Sequence, residues 1–125
     1  MTSPVPAAHE PVIVGGARTP FTRLLSQQAS LSAVDLGAHA IAHALTRSGV
    51  DPAAIDAVLM GQVVQAGQGQ NPARQSALAA GLDWDVPAVT VNKVCLSGLT
   101  AVIDAARLIR TGEATAVIAG GQESM

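Results

Sequence analysis

Cys95 is the only cysteine among 125 residues, and its surroundings suit a nucleophile. It lies in Val91-Asn92-Lys93-Val94-Cys95-Leu96-Ser97-Gly98-Leu99-Thr100-Ala101, where a strand-like run gives way to a helical one. A thiol in the first helical turn meets unpaired backbone N–H groups and the positive end of the helix dipole, and both favour thiolate. A thiolate so placed can attack a carbonyl and hold an acyl group as a thioester. Lone cysteines are more often buried structural thiols, but the strand-to-helix junction argues for chemistry here. Gly98 points the same way: a glycine in a first helical turn loses up to about 1 kcal/mol of propensity, which close packing or access to the thiol offsets. Lys93 either adds positive potential beside the thiol or is an ordinary solvated lysine.

The other candidates read as structural. His39 and His43 are four apart, a spacing that can pair two imidazoles for metal or base chemistry. On the helical wheel they oppose the Leu31/Val34/Ala38/Ile41/Leu45 face, which makes them a solvated pair. His9 belongs to the N-terminal arm, so no histidine presents itself as a base for Cys95. Gly15-Gly16, Gly67-x-Gly69 and Gly120-Gly121 do not match dinucleotide or nucleoside-triphosphate loops. The carboxylates are scattered, and no metal site is expected.

The elements that must position Cys95 follow from apolar patterning. Val12-Ile13-Val14-Gly15-Gly16-Ala17 reads as a first, buried strand. Ser30 to Ser48 reads as a helix stopped by Gly49. Residues 57–64 read as a second strand. Asn71 then looks like an N-cap, with Pro72 opening a helix that ends near Ala80 and Gly81. Residues 87–91 form the third strand, leading into a helix from Cys95 to about Thr111, closed by Gly112. Ala114 to Ala119 is the fourth strand.

This βαβαβαβ order predicts an α/β fold with a mostly parallel sheet covered on both faces, and a ligand site beyond the carboxyl ends of the strands. The helix after Cys95 has only a thin polar stripe of Thr100, Asp104, Arg107 and Thr111. It is expected to be mostly buried, packing between layers against a second, similar half. The chain stops at Met125 soon after a buried strand, so it reads as part of something longer or as a domain that needs a partner.

Bulk properties exclude several classes. Hydrophobic residues make up 49% and aromatic ones 2%, with no tyrosine. Bases would find almost no stacking platform, and a formal charge of −2 offers no footprint for phosphates, so nucleic-acid binding is excluded. One cysteine allows no internal disulfide and no multi-cysteine zinc site. Residues 1–10 are expected to be a flexible arm without signal-peptide features. No membrane-spanning run is present, and a reducing cytoplasm is the expected location.

Four blocks resemble the thiolases, the acetyl-CoA acetyltransferases, in the family's order. They are Val12-Ile13-Val14-Gly15-Gly16-Ala17-Arg18-Thr19-Pro20-Phe21, residues 60–75 (Met60-Gly61-Gln62-Val63-Val64 through Gln70-Asn71-Pro72-Ala73-Arg74-Gln75), Val91 to Leu99, and Gly120-Gly121-Gln122-Glu123-Ser124-Met125. The resemblance covers residues 11–125 and implies an incomplete thiolase N-terminal domain, the first half of an αβαβα layered fold. It implies interconversion of a 3-ketoacyl-CoA plus CoA with two shorter acyl-CoAs, within fatty-acid metabolism. Coenzyme A thioesters would be substrates, with no permanently bound cofactor. Cys95 would be the nucleophile, with its backbone N–H as an oxyanion donor.

A homo-oligomer, dimer or tetramer, is implied as well, with the strand before Cys95 at the dimer interface. The family's activating histidine, second cysteine, Asn-containing motif and most of its CoA-binding loops lie later in sequence, so these 125 residues alone should be a poor catalyst. A ketoacyl synthase-like condensing enzyme shares the fold and a cysteine at a helix start, although Ala17-Arg18-Thr19-Pro20 and Cys95-Leu96-Ser97-Gly98 favour thiolase. From another class, a non-catalytic assembly module would use the apolar helix as an interface.

Overall fold

Three residues in the middle of the chain, Val58-Leu59-Met60, are apolar without alternation and buried on both sides. That pattern belongs to the central strand of a parallel sheet covered on two faces. In the computed structural model, which describes residues 9–125, they lie in β1 (Ala57–Gly61). β2 (Ala88–Val91) and β3 (Val117–Gly121) flank it, giving a parallel sheet of order β2-β1-β3. Val58 pairs with Ala88 on one side and Ile118 on the other. Val58 and Met60 face a core formed with α1 (Ala33–Ser48) and α2 (Pro72–Ala79), through Ile41, Leu45, Ala73 and Ala77. Leu59 faces Ala101 and Ala105 of α3 (Ser97–Arg110). The expected α/β class and parallel sheet are therefore present.

Local chemistry sets the ends of the helices. Ser32 and Asp35 form a reciprocal capping box at the start of α1, and Gly49 closes it in the left-handed conformation. The helix starts at Ala33, not Ser30, because that box fixes the first turn. Its buried residues are Ala33, Gly37, Ile41 and Leu45, a face rotated from the one read off the sequence. Asn71 caps α2 by accepting from Arg74 N and also donates to Ala88 O, so one side chain sets the helix and ties it to β2.

Four expectations are corrected. Residues 12–17 make no strand: they pair neither with β1, whose two sides are taken by β2 and β3, nor with the outer edge of either neighbour, and Ile13 is 86% exposed. Instead the segment runs along the end of α1, where Arg47 Nη1 donates to Gly16 O at 3.3 Å. β1 stops at Gly61 because the Glu123 carboxylate takes the N–H groups of Val63 and Val64. β3 covers 117–121 and not 114–119, because the Asp56 carboxylate takes the N–H groups of Thr115 and Ala116. Lastly, α3 buries only Ser97, Ala101 and Ala105; Leu99, Val102 and Ile103 are exposed, since a single sheet covers one side of it. Of the expected arm over residues 1–10, residues 1–8 lie outside the described residues.

Gly37 sits where α1 crosses the buried end of the sheet. A Cβ there would overlap Gln122 Oε1 and lie 2.9 Å from Ser76 Oγ, and both neighbours are held by a buried hydrogen bond. Gly37→Ala is expected to lower stability by roughly 1–3 kcal/mol through overpacking, read as a lower urea midpoint at unchanged slope.

Two aspartates give the fold an acid limit. The N–H groups of Thr115 and Ala116 hold the Asp56 carboxyl below the usual aspartate range, and Ser32 does the same for Asp35 through its hydroxyl and its N–H. Because the folded values are depressed, their stabilisation is present above the unfolded value of about 3.9 and disappears as pH falls through the folded values. Urea midpoints measured from neutral pH into acid should fall in that window, and the fall should be shallower in Asp56→Asn.

Candidate active site

Cys95 is exposed and sits in the connection between β2 and α3, two residues before the helix starts. The expectation that it occupies the first helical turn is therefore corrected: Leu96 is the N-cap and Ser97 the first helical residue. A tight turn intervenes. Leu96 N donates to Lys93 O and Ser97 N to Val94 O, each at 3.1 Å. Val94 takes φ +48°, a left-handed conformation that costs a β-branched residue on the order of 1–2 kcal/mol.

Side chains on both flanks hold that turn. Asn92 Oδ1 accepts from Val94 N at 3.0 Å. Ser97 Oγ accepts from Lys93 N at 2.8 Å and donates to Val94 O at 2.6 Å. These bonds use the N–H groups of Lys93, Val94, Leu96 and Ser97, and the N–H of Cys95 is not among them. No side chain caps the start of α3. The thiol and a set of backbone donors thus sit at the same place.

They border a cleft of about 830 Å³ beyond the carboxyl ends of β1 and β3. This is the place that the doubly covered parallel sheet predicts. Cys95, Ser97 and Gly98 form one wall, Gln62 to Val64 and Gln122 to Glu123 the floor, and residues 17–25 the opposite side. Gly61 makes the junction possible: a Cβ there would run into the backbone of Ser97 and Gly98.

Beneath the floor lies a buried polar chain that the sequence reading missed. Ser76 Oγ donates to Gln122 Oε1 at 2.6 Å, Gln122 Nε2 to Gln62 Oε1 at 3.0 Å, and Gln62 Nε2 to Val64 O at 2.9 Å. Gln62 is 1% exposed, and each buried side-chain nitrogen and oxygen in this polar chain has a hydrogen-bond partner. The signal was present as two glutamines directly after the glycines that end β1 and β3.

The remaining sequence candidates stay outside the cleft. His39 and His43 lie on the exposed face of α1 with ring centroids 4.3 Å apart, as a solvated pair would. His9 packs near Gly112, at the end of α3 away from Cys95. Lys93 is exposed. Among the described residues no group of three or more His, Cys, Asp or Glu side chains could hold a metal ion, and no helix is long and apolar enough to cross a membrane.

A three-layer α/β/α unit with a lone thiol on a strand-to-helix turn above the sheet's carboxyl edge defines a class of layered α/β folds. The chain belongs to one family within it: the family described as "Thiolase, N-terminal domain" matches residues 11–125, so this is a thiolase-family chain. It is 57% identical over 114 residues to the "Probable acetyl-CoA acetyltransferase" of Mycobacterium leprae, covering 91% of this chain and 29% of that protein. The acetyl-CoA acetyltransferase of Cupriavidus necator is 54% identical over 114 residues, with the same shares covered. The crystal structure of the Acat5 thiolase from Ascaris suum in complex with coenzyme A superposes with a TM-score of 0.86 at 40% identity, over 87% of this chain and 28% of that one. The chain thus spans about 29% of the length of the curated relatives it matches.

Exposure of the only thiol has a direct consequence. Iodoacetamide should add one label to the native chain without denaturant, and none to Cys95→Ser, as read by intact mass. Labelling that required urea would contradict the exposed position.

Proposed function

We propose that this chain supplies the acyl-accepting part of a thiolase that acts on coenzyme A thioesters. The observation that carries the reading is the exposed thiol of Cys95 on a turn beside the cleft, within a chain that matches the thiolase N-terminal domain. In the proposed step Cys95 Sγ, as thiolate, bonds to the carbonyl carbon of an acyl-CoA. The tetrahedral oxyanion collapses, the carbon–sulfur bond to CoA breaks, and CoA leaves as a thiolate that takes up a proton. The acyl group then passes to CoA in thiolysis, or to the carbanion of a second acetyl-CoA in condensation. The Cys95 N–H, which the turn does not use, serves as one oxyanion donor.

Proton transfer needs a further group beside the sulfur, and no histidine lines the cleft. We infer that turnover draws on residues outside these 125, and that the isolated chain is a poor catalyst. The open side of α3, with Leu99, Val102 and Ile103 exposed, is the surface the rest of the fold would cover. A homo-oligomer would form across the free edge of β2, where Val89 is half exposed. The reading places the protein in the cytoplasm, where an exposed thiol stays reduced, and in fatty-acid metabolism.

A graft tests this without asking the chain to act alone. Placed in the Cupriavidus necator relative in exchange for the matching segment, the chain should support thiolysis of acetoacetyl-CoA. Cys95→Ser in that graft should reduce kcat by at least about a thousandfold. A folded graft that is inactive, or one that tolerates Cys95→Ser, would refute the proposal.

A further inference from the structure

The geometry points to Ser97 as a positioning residue for Cys95, acting through the strained conformation of Val94; this rests on the reading of Cys95 as the acyl acceptor. Ser97 is 4% exposed, and its hydroxyl makes two bonds into the turn, one accepted and one donated. One of them, Lys93 N to Ser97 Oγ at 2.8 Å, holds the residue that enters the turn. The other, Ser97 Oγ to Val94 O at 2.6 Å, is the shorter of two bonds to the carbonyl just before Cys95, the second coming from the Ser97 N–H at 3.1 Å. That carbonyl belongs to the same peptide unit as the Cys95 N–H. Fixing Val94 O therefore also fixes the direction of the proposed oxyanion donor.

Such a clamp is needed because of the residue it acts on. A valine at φ +48° opposes its own conformation, since the β-branched side chain crowds the backbone there. Asn92 Oδ1 holds the Val94 N–H and Ser97 Oγ holds its carbonyl, so the strained residue is gripped at both ends. Strained backbone next to a reacting group persists only where its surroundings over-determine it. Without the Ser97 hydroxyl, Val94 O keeps only the longer bond from the Ser97 N–H and the Lys93 N–H loses its acceptor, so Val94 relaxes toward negative φ. The peptide before Cys95 then rotates, and the thiol and its N–H no longer face the cleft together.

The role is distinguishable from simple packing by a rescue. Ser97→Ala in this chain should move the backbone 13C shifts of residue 94 away from left-handed values, and in the Cupriavidus necator graft it should lower kcat by at least about tenfold with a smaller change in KM. Adding Val94→Gly supplies a residue that adopts positive φ without strain. The double variant should therefore recover kcat to within about threefold of the parent, a coupling between neighbours that a purely structural serine would not show. Unchanged residue-94 shifts together with unchanged kcat in Ser97→Ala would overturn the inference. So would a double variant no better than Ser97→Ala. Should Cys95→Ser leave the graft active, the acyl-acceptor reading falls, and the residue-94 shifts alone decide whether Ser97 is the clamp.

Discussion

Everything at the site depends on how closely α3 begins over the end of β1. Gly61 has no Cβ because the backbone of Ser97 and Gly98 occupies that space, and Gly121 at the end of β3 lies beside Gly98 in ordinary contact. Three backbones converge there with nothing between them. At position 61 only glycine permits such an approach, and its entropic cost is accepted because a parallel sheet presents its ligands at this edge. Were α3 to start one side chain farther out, the turn holding Cys95 would lift off the floor of the cleft.

The chain buried beneath that cleft is polar, an arrangement that stabilises only when every group is matched. Ser76, Gln122 and Gln62 pass hydrogen bonds from α2 across the ends of β3 and β1, and the last bond ends on Val64 O. A half-satisfied chain at this depth would cost more than an apolar one. The requirement explains Gly37, whose missing side chain makes room for Gln122. It also explains why the strands stop where they do. Past Gly61 the backbone donors turn to the Glu123 carboxylate, so the segment leaves the ladder with its N–H groups still paired.

Much of this could be read from residue types alone, because the signals were local. Asn71-Pro72 marks the start of α2 in sequence and in structure, since capping chemistry acts over three residues. Periodicity placed His39 and His43 away from the core, and they are exposed. The misses share a different cause. Residues 12–17 have the composition of a buried strand, but a strand exists only where a neighbour pairs with it, and composition does not specify that pairing. The shifted ends of β1 and β3 came from Glu123 and Asp56, carboxylates about sixty positions away in sequence, whose capture of backbone donors no window of residues reveals. Cys95 was found by type and neighbourhood. Its turn was not, because nothing in the sequence announces a valine at positive φ.

The helix that follows Cys95 shows how one residue pattern can serve two requirements. Apolar residues nearly all round α3 suggest burial on every side, yet the buried contact with the sheet is made by small ones, Ala101 and Ala105 against Leu59, with a larger residue, the partly buried Leu108, joining only toward the helix's end. The larger Leu99, Val102 and Ile103 point away. Small residues inward let the helix axis lie close to the sheet, as the convergence of Gly61 with Ser97 and Gly98 demands. Exchanging the two sets would bury more apolar area against the sheet while forcing the helix outward at its first turn. The inward alanines therefore belong to the site as much as to the core: they set the depth at which α3 begins, and with it the height of the turn that presents the thiol.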